Sequence, residues 1–147
     1  MNEFVSKFTK TEINHIKLNK KYYQLSEELH SFINEVPRET FHVGVYLGEE
    51  KSKQFYPSLA LLEILAQLST KKVYVNSKSE WMFLCKRDIF GEGITKSEFS
   101  RKGKLVLVQN EKDENLGYGK IVENLDKKNK VVIKNLLDRG NFLRREK

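Results

Sequence analysis

KLVLVQNEKDENLGYGKIVEN, residues 104–124, is the stretch whose reading decides the fold. Its first seven residues, KLVLVQN, read as a strand, and its last nine, LGYGKIVEN (116–124), as another. Downstream, KVVIKN (130–135) repeats the signature, and NFLRRE (141–146) is expected to be a last strand. Upstream, KKVYVN (71–76) is a strand as well. Ser77-x-x-Glu80 is a capping box that starts a short helix through Trp81, Met82, Phe83 and Leu84. A loop with Gly91 and Gly93 follows. Short strands at fairly regular spacing with one helix near the start predict a small closed or nearly closed β-barrel over 71–147. Strand 141–146 is its expected final stave, with Phe142 facing inward or along the seam. Gly117-Tyr118-Gly119 resembles a fragment of a phosphate loop, but no helix pattern follows and the full glycine fingerprint is missing, so a kinked barrel strand is expected. Trp81 and Phe83 are aromatics that could stack on bases, but within a capped short helix they are expected in the core.

Before Ser69 the grammar differs. Residues 13–25 look like a hairpin turning at Asn19-Lys20. Leu25, Leu29, Phe32, Ile33 and Val36 follow helical spacing up to Pro37. Phe41, Val43, Val45 and Leu47 alternate as a half-buried strand. Pro57 can open a helix at its first position, and Leu59, Leu61, Leu62, Ile64, Leu65 and Leu68 make that helix apolar on more than one face. It is expected between two packed units. The fold class is therefore α+β: an N-terminal α/β domain with an antiparallel sheet and helices over 1–70, then the small barrel over 71–147.

With 147 residues, 39% of them hydrophobic, the chain has room for one ordinary domain or two small ones. No apolar run of membrane-spanning length occurs, and MNEFVSKFTKTE lacks the apolar stretch of a signal peptide. Cys85 is the single cysteine, and His15, His30 and His42 have no metal-ligand spacing. A soluble protein of a reducing compartment is expected, cytoplasmic (nuclear or nucleolar in a eukaryote), without metal or other cofactor and without membrane contact. The net charge of +7 is unevenly placed: residues 1–70 carry eight Lys/Arg against nine Asp/Glu, residues 71–147 nineteen against eleven. A basic half beside a near-neutral half points to a polyanionic partner for the basic half, against the plainer reading of a solvated Lys-rich surface. Enzyme chemistry finds little support. Cys85, beside Leu84 in an apolar helix, is expected to be buried and inert, and the adjacent pairs Glu27-Glu28 and Glu49-Glu50 point apart.

The succession from KKVYVN through KLVLVQN, LGYGKIV and KVVIKNLLDRGNFLRRE resembles a PUA domain, the small RNA-binding β-barrel of pseudouridine synthases and archaeosine transglycosylases. Its most specific pieces are the Leu-Gly-aromatic-Gly and the final G-x-[FY]-[LV]-R-x-E. Upstream, KKYYQLSEELHSF, FHVGVYLGE and YPSLALLEILA look like the N-terminal domain of the Nip-seven proteins of large ribosomal subunit biogenesis. Relatives of that kind usually have a longer N-terminal segment with an additional helix, so a short, archaeal-type start is expected. Lys86 stands where the PUA helix commonly ends with a glycine.

The resemblance implies a non-catalytic RNA-binding assembly factor, a monomer, acting on pre-ribosomal RNA and docking a protein partner through its N-terminal domain. PUA domains hold RNA at the short helix, the loop after it and the last strand. Those places are Lys86 and Arg87, Gly91 and Gly93, and Arg144 and Arg145. The glycines would let backbone approach RNA closely. Lys120, Lys127, Lys128, Lys130, Lys134 and Arg139, from charge alone, would extend one patch toward a single-stranded U-rich or A/U-rich RNA. Two other readings stand: a protein–protein adaptor without significant RNA affinity, and an RNA-modifying enzyme with a polar pocket in residues 1–70.

Overall fold

The computed structural model describes residues 1–25 and 44–145, without the side chains of residues 142, 143 and 145. The helix expected up to Pro37 and residues 41–43 of the next expected strand lie outside that set, as do His30 and His42. The first sheet is an antiparallel meander of β1 (His15–Leu18), β2 (Lys21–Gln24), β3 (Tyr46–Lys51) and β4 (Gln54–Pro57). The expected hairpin is present, with Leu18 facing Lys21 and Asn19 at φ 58° in the turn. The strand expected up to Leu47 is displaced: β3 begins at Tyr46 and runs on to Lys51. Its position is set by the β3–β4 turn, where Ser52 and Lys53 both adopt positive φ and Lys51 pairs with Gln54. That is the two-residue turn whose twist suits flanking strands.

Pro57 does not open the next helix. It ends β4, and Ser58 caps α2 (Leu59–Leu68), its hydroxyl accepting from the Leu61 N–H at 3.1 Å. A serine oxygen satisfies an otherwise free helix-end donor, which proline cannot. Leu61, Leu62 and Leu65 are fully buried, and α2 packs against both β3 and the second sheet. The helix, expected to be buried on more than one face, thus lies between the two sheets.

The second sheet contains β5 (Lys72–Val75), β6 (Ile89–Phe90), β7 (Ile94–Ser97), β8 (Leu105–Gln109), β9 (Asn115–Ile121) and β10 (Val131–Asp138), in the order β6-β10-β9-β8-β5-β7. All its pairings are antiparallel except β5 with β8. Its edge strands β6 and β7 are joined by the single 3-10 turn Gly91–Gly93, so the sheet curls almost into a closed barrel. Val73, Val75, Val106, Val108, Ile121, Val132 and Ile133 fill the interior, with Phe83 from α3 (Ser77–Leu84). The helix cap lies one residue before the expected box: Asn76, not Ser77, accepts from the Ser79 N–H at 2.9 Å.

In β9, Gly117 has φ +146°, and a Cβ there would lie 1.9 Å from the Leu137 carbonyl oxygen. Opposite it the register of β10 shifts between Asn135 and Leu137. The Gly-Tyr-Gly run is the expected kinked strand. The outer face of this sheet is covered where Leu107, Tyr118 and Leu137 meet the first core. There α1 (Asn2–Ser6) sets Phe4 edge-on against Tyr118, ring centroids 5.4 Å apart, with Phe8 behind it at 6.4 Å.

The terminal strand is a correction. Residues 141–145 do not form a stave; Gly140–Arg145 is a helix, α4. The seat beside β10 is taken by β6, through Ile89 opposite Ile133. The apolar residues Phe142 and Leu143 stand adjacent, as do the charged Arg144 and Arg145, so strict alternation was missing from the start.

Candidate nucleic-acid interface

The hairpin of β9 and β10 carries most of the expected cations. Lys120 and Lys134 are cross-strand partners, both exposed. Directly opposed side chains have Cβ atoms about 5 Å apart, and like charges in that position are destabilising. Four residues before Lys134, roughly 13 Å along the strand, stands Lys130, preceded by Lys127 and Lys128 in the connection, all exposed.

That connection is fastened to the 3-10 turn. The Gly91 N–H donates to the Lys130 carbonyl and the Glu92 N–H to the Lys128 carbonyl, each at 3.1 Å. Gly91 and Gly93 are therefore corrected: both are buried, and neither opens backbone to a ligand. A Cβ on Gly91 would lie 2.4 Å from the Lys127 carbonyl oxygen, and one on Gly93 would lie 1.8 Å from the Ser79 hydroxyl. These glycines let two turns and a helix touch.

On the other side of β10, the Asn135 N–H donates to Asp88 Oδ1 at 2.9 Å and its Nδ2 to the Arg87 carbonyl at 3.3 Å. The exposed segment Lys86–Arg87 is thereby held beside the strand bearing Lys134. Lys86 itself has φ +67°. It takes the left-handed position that follows a helix C-cap, where glycine costs less.

Lys127 is partly neutralised by Glu123 at 3.3 Å, and Lys102 reaches the same carboxylate at 4.0 Å. The Asn124 N–H first, and then Lys127, hold the Glu123 carboxyl below the usual carboxylate range. Lys86, Arg87, Lys120, Lys128, Lys130 and Lys134 have no ion-pair partner among the described residues.

The arginines at the far end of β10 behave differently. Arg139 pairs with Glu63 on α2 and donates through Nε to the Asn115 carbonyl at 3.0 Å. Arg144 lies on a helix rather than a strand. It donates to Asp138 Oδ2 at 3.0 Å and to the Leu84 carbonyl at 2.6 Å. Arg145 ends α4, its side chain outside the described set. The expected single patch thus divides: the hairpin and its connection follow one another along the chain and Lys86–Arg87 is tied to β10 through Asn135, whereas Arg139 and Arg144 are engaged within the fold. Near Arg139 a cleft of about 770 Å³ is walled by Glu63, Glu80, Asp113 and Glu114 against Lys72 and Arg139. Carboxylates outnumber cations there, which disfavours phosphate.

Two residues stand where the sequence reading did not put them. Trp81 is 71% exposed while Phe83 is fully buried. Helical geometry contained that signal, since residues two apart lie roughly 200° around the axis and cannot share one narrow face. Cys85, expected buried, is exposed at the end of α3.

A family model described as the UPF0113 PUA domain matches residues 71–147. The chain belongs to the UPF0113 PUA domain family. A UPF0113 protein of Archaeoglobus fulgidus is 33% identical over 133 residues, which are 87% of this chain and 75% of the relative. Among solved structures, a conserved PUA domain protein from Thermoplasma acidophilum superposes with a TM-score of 0.62 at 18% identity, covering 98% of this chain and 89% of that one. A hypothetical protein from Pyrococcus horikoshii superposes with a TM-score of 0.52 at 17% identity, over 88% of this chain and 75% of that one. These two likenesses concern the fold. Among the described residues of this UPF0113-family chain, no helix is long and apolar enough to cross a membrane.

Proposed function

We propose that this UPF0113-family protein binds RNA without catalysing a reaction on it, through the β9–β10 hairpin, its connection and the Lys86–Arg87 segment. Membership in a PUA family supports RNA as the polyanion. The observation that carries the reading is the unrelieved crowding of cations: Lys120 faces Lys134 across the strands, and neither meets a carboxylate among the described residues. A phosphate chain supplies the missing counter-charge and releases condensed counterions from the RNA. The likeness of the N-terminal half to Nip-seven proteins extends the proposal to ribosomal RNA precursors and a role in subunit biogenesis. A protein partner would dock on that half, where Val45, Tyr46 and Tyr56 are exposed.

Fluorescence anisotropy with labelled single-stranded RNA at two salt concentrations tests the reading. Affinity is expected to fall steeply with salt. The variant K128E/K130E is expected to bind about ten-fold more weakly, with a salt slope smaller by about 1.4, the value for two phosphate contacts on a single strand. Wild-type binding without salt dependence, or an unaffected double variant, would overturn it.

A further inference from the structure

The turn between β7 and β8 carries three cations outside the hairpin face. Arg101, Lys102 and Lys104 are all exposed, and with Gly103 they make a four-residue turn closed by the Lys104 N–H, which donates to the Arg101 carbonyl at 3.3 Å. Gly103 has φ +86°, and a Cβ there would meet nothing within 4 Å, so the tip stands clear of the rest of the fold. The turn is nevertheless anchored. The Gly103 N–H donates to the Ile121 carbonyl at 2.7 Å, and the Ile121 N–H donates to the Lys104 carbonyl at 2.9 Å. Ile121 follows Lys120, so the turn is fastened to the end of β9 that belongs to the cationic hairpin.

On its other flank the turn meets the β9–β10 connection, and one oxygen stands between them. Glu123 Oε1 accepts from the Asn124 N–H at 3.0 Å, with Lys127 Nζ 3.3 Å away and Lys102 Nζ 4.0 Å away. Donors from two separate loops thus converge on a single position, and two of the three are ammonium groups. A phosphate oxygen takes the same set, charge-assisted contacts from lysine together with a backbone N–H. Here an internal carboxylate occupies it. One carboxylate does not balance the surrounding charge, since Arg101, Lys104, Lys120, Lys128 and Lys130 have no ion-pair partner among the described residues.

We infer that the Arg101–Lys104 turn and the connection 122–130 form a phosphate-binding notch for RNA, closed in the free protein by Glu123, which an incoming phosphate displaces. The inference rests on the RNA-binding reading and adds to it a second arm of the interface and a residue that holds affinity down. Displacement breaks two exposed ion pairs, each worth little in water. In return the phosphate gains Lys102 and Lys127 and releases its condensed counterions. Arg101 and Lys104 flank the notch, so the RNA backbone leaves it along a cationic edge.

Anisotropy of the same labelled single-stranded RNA, titrated with the full chain, tests the notch. K102Q/K104Q should bind about ten-fold more weakly, with a salt slope smaller by about 1.4. E123Q, which keeps an oxygen for the Asn124 N–H and loses the charge, should bind about three-fold more tightly. That gain should vanish when Lys102 and Lys127 are also replaced, because the substituted residue acts through them; E123Q/K102Q/K127Q compared with K102Q/K127Q measures this coupling. Circular dichroism verifies the fold of each variant. E123Q no tighter than wild type, an equal gain with both lysines removed, or K102Q/K104Q equal to wild type overturns the notch, while a loss in K128E/K130E still upholds the hairpin reading. Wild-type protein that binds no RNA overturns both.

Discussion

Arg144 shows how one side chain changes role between pattern and structure. Its guanidinium spans Asp138 and the last turn of α3, at 3.0 Å from Asp138 Oδ2 and 2.6 Å from the Leu84 carbonyl. Asp138 is only 2% exposed, and its Oδ1 has no hydrogen-bond partner among the described residues. Truncating Arg144 leaves a nearly buried carboxylate whose remaining partner among the described residues is the Asn135 amide, at 3.2 Å. Removing one member of such a pair costs more than the pair contributes net, because the remaining charge stays desolvated. The outer part of Arg144 is solvated, so R144A should lose about 2 kcal/mol rather than the full cost of a buried pair. D138N/R144A should recover part of that loss, since an amide tolerates burial better than a carboxylate. Urea denaturation checks both. RNA affinity of folded R144A should match wild type; a drop in affinity with unchanged stability would return Arg144 to the binding face.

At the scale of elements, the strands were legible where both faces of the sheet are covered. Leu105–Val108 is an uninterrupted apolar run because Val106 and Val108 fill the barrel while Leu107 meets the first core. What escaped the sequence depended on partners distant along the chain. The parallel pairing of β5 with β8 leaves no local mark, and α4 forms where β6 already occupies the edge of β10. Asn76 outcompetes Ser77 as a cap because the chain leaves β5 at that residue. The basic site was legible as composition, but only the register reveals that Lys120 and Lys134 oppose each other. This opposition implies a trade-off. K134E should convert a repulsive pair into an attractive one, raising stability by about 0.5 kcal/mol at low salt and less at high salt. The same change should weaken RNA binding several-fold. Thermal unfolding and anisotropy on one preparation measure both, and a variant that gains neither stability nor loses affinity would separate this pair from the interface.

Across the whole molecule, the uneven charge of the two halves could be read from the sequence, but their common seam could not. The seam is aromatic: Phe4 and Phe8 of the N-terminal segment close over Tyr118, which the sequence presents only as the middle of a Gly-Tyr-Gly strand. Burial pushes the Tyr118 phenol up to about 12, with Tyr56 adding a smaller push in the same direction. The sign follows from where protons are held. Above pH 10 an unfolded chain gives up its phenol proton while the folded chain keeps it, so unfolding becomes progressively favoured as pH rises. The stabilisation from this group is fully present below pH 10 and disappears between about pH 10 and 12, amounting to roughly 3 kcal/mol. Tyr74, also raised to about 12 by burial and then by Asp113, adds its own loss in the same window. Y118F should therefore lose less stability than wild type between about pH 9 and pH 11.5, while Y74F/Y118F should be flatter still. Urea midpoints across that range decide the matter. Because Tyr118 lies under α1 and not at a free surface, its ionisation should also detach the N-terminal segment, visible as new proteolytic sensitivity within residues 1–10. Parallel loss in wild type and Y118F would mean that the seam opens for another reason.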